Sequence, residues 1–130
     1  MYKKKILFIT GTRADFGKIK PIIKKFEKNF IVQLVVTGMH LQMKYGYTYN
    51  EIKNFSKKII IYKFKNETKN KKLDIILSKT VVKFSKILHK AKPDLVIVHG
   101  DRIETLACAI SSTLNNFLSA HIEGGELSGS

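Results

Sequence analysis

The sequence predicts an α/β protein built on a doubly wound parallel sheet. Two observations predict it. Short aliphatic and β-branched runs alternate with segments whose apolar residues recur at helical spacing. Those runs are apolar on both faces rather than alternating in and out, as strands covered by helices on both sides require. A third observation bounds the count: 130 residues, 44% of them hydrophobic, suffice for one compact core and not for two ordinary domains.

Each element can be justified in turn. KKILFIT, Lys4 to Thr10, is a buried-strand pattern, followed by the loop GTRADFG and by Ile19, Ile22, Ile23 and Phe26 at helical spacing among lysines. FIVQLVVTG, Phe30 to Gly38, predicts a second strand, YTYNEIKNF a short helix, and KKIIIYKF, Lys57 to Phe64, a third strand. After the polar stretch KNETKNKK comes the longest helix. Leu73, Ile76, Leu77, Phe84, Ile87 and Leu88 form its apolar face, and it is expected to end near His89, before Pro93. PDLVIVHG predicts the fourth strand, RIETLACAISSTLNN a helix and FLSAHI a fifth strand. Right-handed crossovers favour the strand order 3-2-1-4-5, so the winding reverses between the first and fourth strands. Ligands of such sheets bind at that reversal, outside the carboxyl ends of the strands.

The loops at those ends hold the unusual residues. They are Gly11, Thr12, Arg13, Ala14 and Asp15; Gly38, Met39 and His40; His99, Gly100, Asp101 and Arg102; and His121, Glu123, Gly124, Gly125 and Glu126. Three of the four histidines and both arginines fall there, which predicts a polar site at the reversal. The first loop offers amide N–H groups and a helix N-terminus to an anion. It is neither a P-loop, because Lys18 is followed by Ile19, nor a G-x-G-x-x-G fingerprint. Arg13 has the planar fork suited to a diphosphate, or else it pairs with Asp15 in the turn. Asp101 and Glu123 follow adjacent strands, so two carboxylates are expected to share one pocket for acid and base work. Asp101 alternatively caps the helix that starts near Arg102. HGD and HIE also suggest zinc or iron, but no further ligand at suitable spacing completes a site. His89, in a helix's last turn, reads as a partner of the helix dipole, and Tyr45, Tyr47 and Tyr49 as packing around Gly46.

Charge and cysteine usage narrow the classes. The net charge is +14, with 24 basic against 10 acidic residues. All basic residues but Arg13 and Arg102 are lysines spread along the chain, a compositional bias rather than an arginine-rich stripe. A basic nucleic-acid-binding module remains the reading of another class, motivated by charge alone. One cysteine, Cys108, excludes an internal disulfide and suits a reducing compartment, with packing as its role. The N-terminus MYKKKILFITGTRAD has too short an apolar run for a signal or a membrane span, so a cytoplasmic protein is expected.

Taken together, TGTRADFGKIKPII, VTGMHL and KPDLVIVHGDRIETLACAI with HIEGGELSGS resemble the UDP-N-acetylglucosamine 2-epimerases, in particular the hydrolysing branch that feeds sialic acid and related nonulosonate synthesis. The resemblance covers nearly the whole chain and is weakest from Tyr45 to Lys90. It implies a two-domain fold of the glycosyltransferase B type, with residues 1–130 as the N-terminal Rossmann-like domain, incomplete at its C-terminal end, and the second, nucleotide-binding domain absent. It implies no cofactor, no metal, a UDP-amino-sugar substrate, no specific nucleic acid or membrane partner, and a homodimer for the complete enzyme. By the same resemblance Asp101 and Glu123 are the catalytic carboxylates and Arg13 lies near the diphosphate, and His40, His99, Arg102 and His121, gathered at the same strand ends, are expected with Arg13 to contact substrate. The implied reaction eliminates UDP to a glycal and hydrates it to N-acetylmannosamine; a close relative acting on a UDP-diacetamido sugar and the non-hydrolysing epimerase are the alternatives. The family's further acidic residue beyond SGS and its second-domain histidine are not in the sequence, so the 130 residues alone are expected to be catalytically silent.

Overall fold

The computed structural model describes residues 3–41, 48–69 and 72–122. In chain order these form β1 (Lys5–Thr10), α1 (Arg13–Phe26), β2 (Ile31–Val36), a 3-10 turn at Gly38–Leu41, α2 (Tyr49–Lys53), β3 (Ile60–Lys63), α3 (Leu73–Ala91), β4 (Leu95–His99), α4 (Ile103–Leu114) and β5 (Ser119–Ile122). The strands make one sheet in the order β3-β2-β1-β4-β5, as expected from the crossover rule, and every pair is parallel.

Two-sided burial explains the continuous apolar runs. Successive residues of β1 point to opposite faces, and both faces are covered. Ile6 and Phe8 pack with Phe16, Ile19 and Ile23 of α1 and Ile52 of α2. Leu7 and Ile9 pack with Phe84 and Leu88 of α3 and Cys108 of α4. The helices that follow β1 and β2 thus lie on one face, and those that follow β3 and β4 on the other. Phe8 sits opposite both Leu34 and Ile97, so the reversal between β1 and β4 is also the centre of the core. Burial pushes the Cys108 thiol well above its ordinary range, with the charge of Glu104 adding to the effect, in keeping with a packing role.

Several boundaries differ from the sequence reading. The second strand stops at Val36, because Thr37 leads into Gly38 at φ 66°, a left-handed conformation that breaks the ladder. The third pairs only over Ile60–Lys63 rather than Lys57 to Phe64. The long helix runs past His89 to Ala91, where Lys92 closes it in a left-handed cap at φ 47° and donates its N–H to the Leu88 carbonyl. His89 bonds through Nε2 to Asn115 Oδ1 at 3.1 Å and sets its ring against Phe117. Leu73 belongs to no buried face: it is 66% exposed, since burial along α3 begins only at Thr80. Tyr49 packs against the core, with Lys63 Nζ 4.5 Å above its ring; Tyr45 and Tyr47 lie outside the described residues. Ser119, Ala120 and His121 of the outer strand β5 are exposed. No helix of the described residues is long and apolar enough to cross a membrane.

Candidate functional site

The loop after β1 is organised by one carboxylate. Thr12 caps α1 by accepting the Asp15 N–H at 3.1 Å, and the Asp15 carboxylate reaches back to the N–H groups of Thr12 and Gly11, both at 3.1 Å. This is a capping box, with the Thr10 hydroxyl donating to the same carboxylate. Two of the amides that the sequence reading offers to an anion are therefore already satisfied inside the loop. Asp15 being committed there, it does not pair with Arg13, as one reading of the turn expects. Arg13 instead forks onto Glu51 of α2, with Nε to Oε2 at 3.3 Å and a second bond from Nη2 to Oε1. Both side chains are more than half exposed, so the pair is weak and the guanidinium can exchange it for a stronger anion.

His40 is fully buried. Nε2 lies 2.9 Å from the Thr10 hydroxyl and Nδ1 2.5 Å from that of Thr48, so the ring bolts the 3-10 turn to the end of β1 and the start of α2. Burial lowers its pKa from 6.5, against the opposing pull of Asp15, a backbone bond to Thr12 and Glu51.

The loop after β4 faces the first loop across the reversal. An open cleft of about 390 Å³ lies between them, lined by Thr12, Ala14, Asp15 and Lys18 on one side and His99, Gly100, Asp101 and Arg102 on the other. His99 is buried and its carbonyl accepts from the Thr105 hydroxyl at 2.8 Å. Gly100 takes φ 87°, which turns the chain and leaves Asp101 exposed at the rim. Arg102, not Asp101, occupies the cap position of α4, and it makes no side-chain cap bond. The capping alternative for Asp101 therefore fails, because α4 begins at Ile103 and puts Arg102 at its cap. His121 Nε2 lies 2.6 Å from the Gly100 carbonyl, which can only accept, so that nitrogen carries the proton and Nδ1 is left as an acceptor in the neutral ring. The Gly100 N–H donates to the Ile122 carbonyl at 3.0 Å, locking the end of β5 to the same loop. Glu123, and with it the expected convergence of two carboxylates, lies outside the described residues. Among the described residues no three His, Cys, Asp or Glu side chains gather to hold a metal.

Sequence reasoning missed Glu104. It stands in the first turn of α4, where a carboxylate ordinarily faces solvent and complements the helix dipole, yet it is 7% exposed. Oε2 accepts from Asn66 Nδ2 at 2.8 Å, and Asn66 also donates to Thr80 at 3.2 Å. Asn66 comes from the polar stretch that reads as a mere connection. Nothing in either local pattern signals burial.

The fold and cleft define a class first: a doubly wound α/β domain with a mixed-charge cleft at its topological switch point, the place where such domains bind nucleotides and sugars. A family model described as UDP-N-acetylglucosamine 2-epimerase matches residues 24–129. The chain belongs to the UDP-N-acetylglucosamine 2-epimerase family. It is 43% identical over 130 residues to the UDP-N-acetylglucosamine 2-epimerase of Neisseria meningitidis serogroup B, covering 97% of this chain and 34% of that protein. It is 36% identical over 130 residues to the UDP-N,N'-diacetylbacillosamine 2-epimerase (hydrolyzing) of Legionella pneumophila, with the same coverage of 97% and 34%. The crystal structure of the Methanocaldococcus jannaschii UDP-GlcNAc 2-epimerase in complex with UDP-GlcNAc and UDP superposes with a TM-score of 0.78 at 28% identity, over 97% of this chain and 34% of that one. The chain thus spans about a third of the length of the curated relatives it matches.

Proposed function

We propose that the chain is the N-terminal domain of a hydrolysing UDP-N-acetylglucosamine 2-epimerase, or of a close relative acting on a UDP-diacetamido sugar. The observation that carries this reading is the cleft between the loops after β1 and β4, which brings Asp101, Arg102 and Lys18 together at the switch point. A relative that hydrolyses a UDP-diacetamido sugar and a structural neighbour bound to UDP-GlcNAc support the substrate class.

In the proposed reaction the C1–O bond to UDP breaks and a base removes the C2 proton, leaving a C1–C2 double bond. Water then adds, its hydroxyl at C1 and a proton on the opposite face of C2, which inverts that centre and releases N-acetylmannosamine. No carbonyl acidifies the C2 proton, so departure of UDP leads and the ring gathers positive charge that a carboxylate stabilises. Asp101, exposed at the rim, is the proposed carboxylate. Glu123 is its proposed partner: the residues that precede the two, Gly100 and Ile122, are hydrogen-bonded to each other. Arg13 and Arg102 are the proposed contacts to the diphosphate and His99 and His121 proposed substrate contacts beside Asp101, whereas His40, fully buried with both ring nitrogens engaged, serves the site by holding the turn after β2 rather than by touching substrate. A second domain would close the cleft, and the complete enzyme is proposed to be a homodimer.

The test is product analysis with the complete enzyme and UDP-N-acetylglucosamine. Release of free N-acetylmannosamine and UDP supports the hydrolysing reading, whereas UDP-N-acetylmannosamine establishes the non-hydrolysing one. Asp101→Asn keeps size and removes charge, so turnover should fall at least about a hundredfold with the fold intact. Near-normal turnover in that variant would move the chemistry away from this loop.

A further inference from the structure

We infer that Glu104 is a positioning residue, which holds the Arg102 guanidinium at the wall of the cleft and sets the loops around it. The inference rests on the proposed function only for what Arg102 touches; the positioning itself stands on the geometry.

One carboxylate meets the loops that follow four strands. Glu104 Oε2 binds Asn66, beyond β3. Its carboxyl group lies 3.5 Å from where a side chain at Gly11, after β1, would begin, and Oε2 lies 3.4 Å from the same point at Gly38, after β2. Oε1 faces Arg102 Nε, after β4, at 3.5 Å. Both glycine distances are ordinary contact distances; what excludes a side chain at Gly38 is the Gly11 carbonyl oxygen, 2.8 Å from a Cβ there, together with a φ of 66° that disfavours side chains.

A helix-dipole role does not account for this arrangement. Dipole complementation needs no burial, no Asn66 and no contact with the glycines of two other loops. A buried carboxylate must be paired, and Oε1 has no hydrogen-bond partner among the described residues, so the cation of Arg102 is what compensates it. The Arg102 side chain is 47% exposed and lines the cleft, so its Nε is ion-paired with Glu104 while the side chain remains accessible from the cavity. A fork held in this way loses less freedom when it binds an anion.

The chain has only two arginines, so its Arg Nε–H nuclear magnetic resonance spectrum contains one signal for Arg13 and one for Arg102. In Glu104→Gln, which keeps the size and the acceptor for Asn66, the Arg102 signal should move and broaden while that of Arg13, paired to Glu51, stays. Unchanged Arg102 resonances in folded Glu104→Gln would overturn the inference whether or not the protein acts on UDP-sugars. In the complete enzyme, Glu104→Gln and Arg102→Ala should each raise KM for UDP-N-acetylglucosamine about tenfold, and the double variant should be no worse than Arg102→Ala in KM or in kcat. Multiplying effects, or a lowered Tm with KM unaltered, would make Glu104 a structural residue only. Should Glu104→Gln not fold, Arg102→Lys keeps the charge but removes the planar fork, and an unaltered KM in that variant would equally reject the idea. A wild-type enzyme silent on UDP-N-acetylglucosamine and on UDP-diacetamido sugars alike would refute the proposed function and leave the resonance result to decide the positioning.

Discussion

His40 shows how a single side chain links the site to solution conditions. Both ring nitrogens are engaged by Thr10 and Thr48 in a buried setting, and burial lowers the pKa from 6.5. The unfolded chain therefore takes up a proton at higher pH than the folded one. The stability contributed by the neutral ring is present in full above about pH 6.5 and is lost as pH falls below it through the folded-state value. Carboxylates titrate in the same range, so the measurement is a comparison: urea unfolding of the wild type and of His40→Gln between pH 7.5 and 5. The wild type should lose more stability on acidification than the variant. Parallel curves would remove His40 from the pH dependence.

At the scale of the element, α1 begins in a fixed place because Thr12 and Asp15 satisfy each other's backbone groups. That start matters for the cleft, since Thr12, Ala14, Asp15 and Lys18 form one of its walls. Thr12→Ala removes the acceptor of the Asp15 N–H and should cost about 1 kcal/mol of stability, while Thr12→Ser, which keeps the hydroxyl, should stay within a few tenths. Denaturant midpoints of the two variants decide the matter, and equal midpoints would mean that the box contributes nothing. The helices α3 and α4 show the same coupling of element to site. Asn66 can donate both to Thr80 of α3 and to Glu104 of α4 only because the two helices pack side by side.

For the whole molecule, the +14 charge raises the question of nucleic acid. Lysines spread over a surface attract any polyanion, but such binding consists of counterion release and fades steeply with salt. Filter retention of a random-sequence duplex should be weak and vanish by physiological ionic strength, whereas a cleft selective for UDP should keep its preference over other anions there. Tight, salt-resistant duplex binding would favour a nucleic-acid module over the enzyme proposed here.

The apolar runs determine the parallel sheet, and crossover handedness then leaves one common strand order, so the order β3-β2-β1-β4-β5 and the cleft at its reversal are legible from periodicity alone. The family is legible too, because HGDR, HIEGGE and TGTRAD taken together resemble its motifs. Partners were not. Arg13 has Asp15 two residues away, yet it binds Glu51, because the capping box claims Asp15 and the packing of α2 brings Glu51 within reach. Local pattern places Glu104 on an exposed first turn; only the stacking of four strand-end loops buries it. Side-chain periodicity reports which face of an element meets the core, a property of neighbours three or four residues apart. Which polar groups then meet is decided by elements 38 residues apart, as Asn66 and Glu104 are, and that information exists only once the chain has folded.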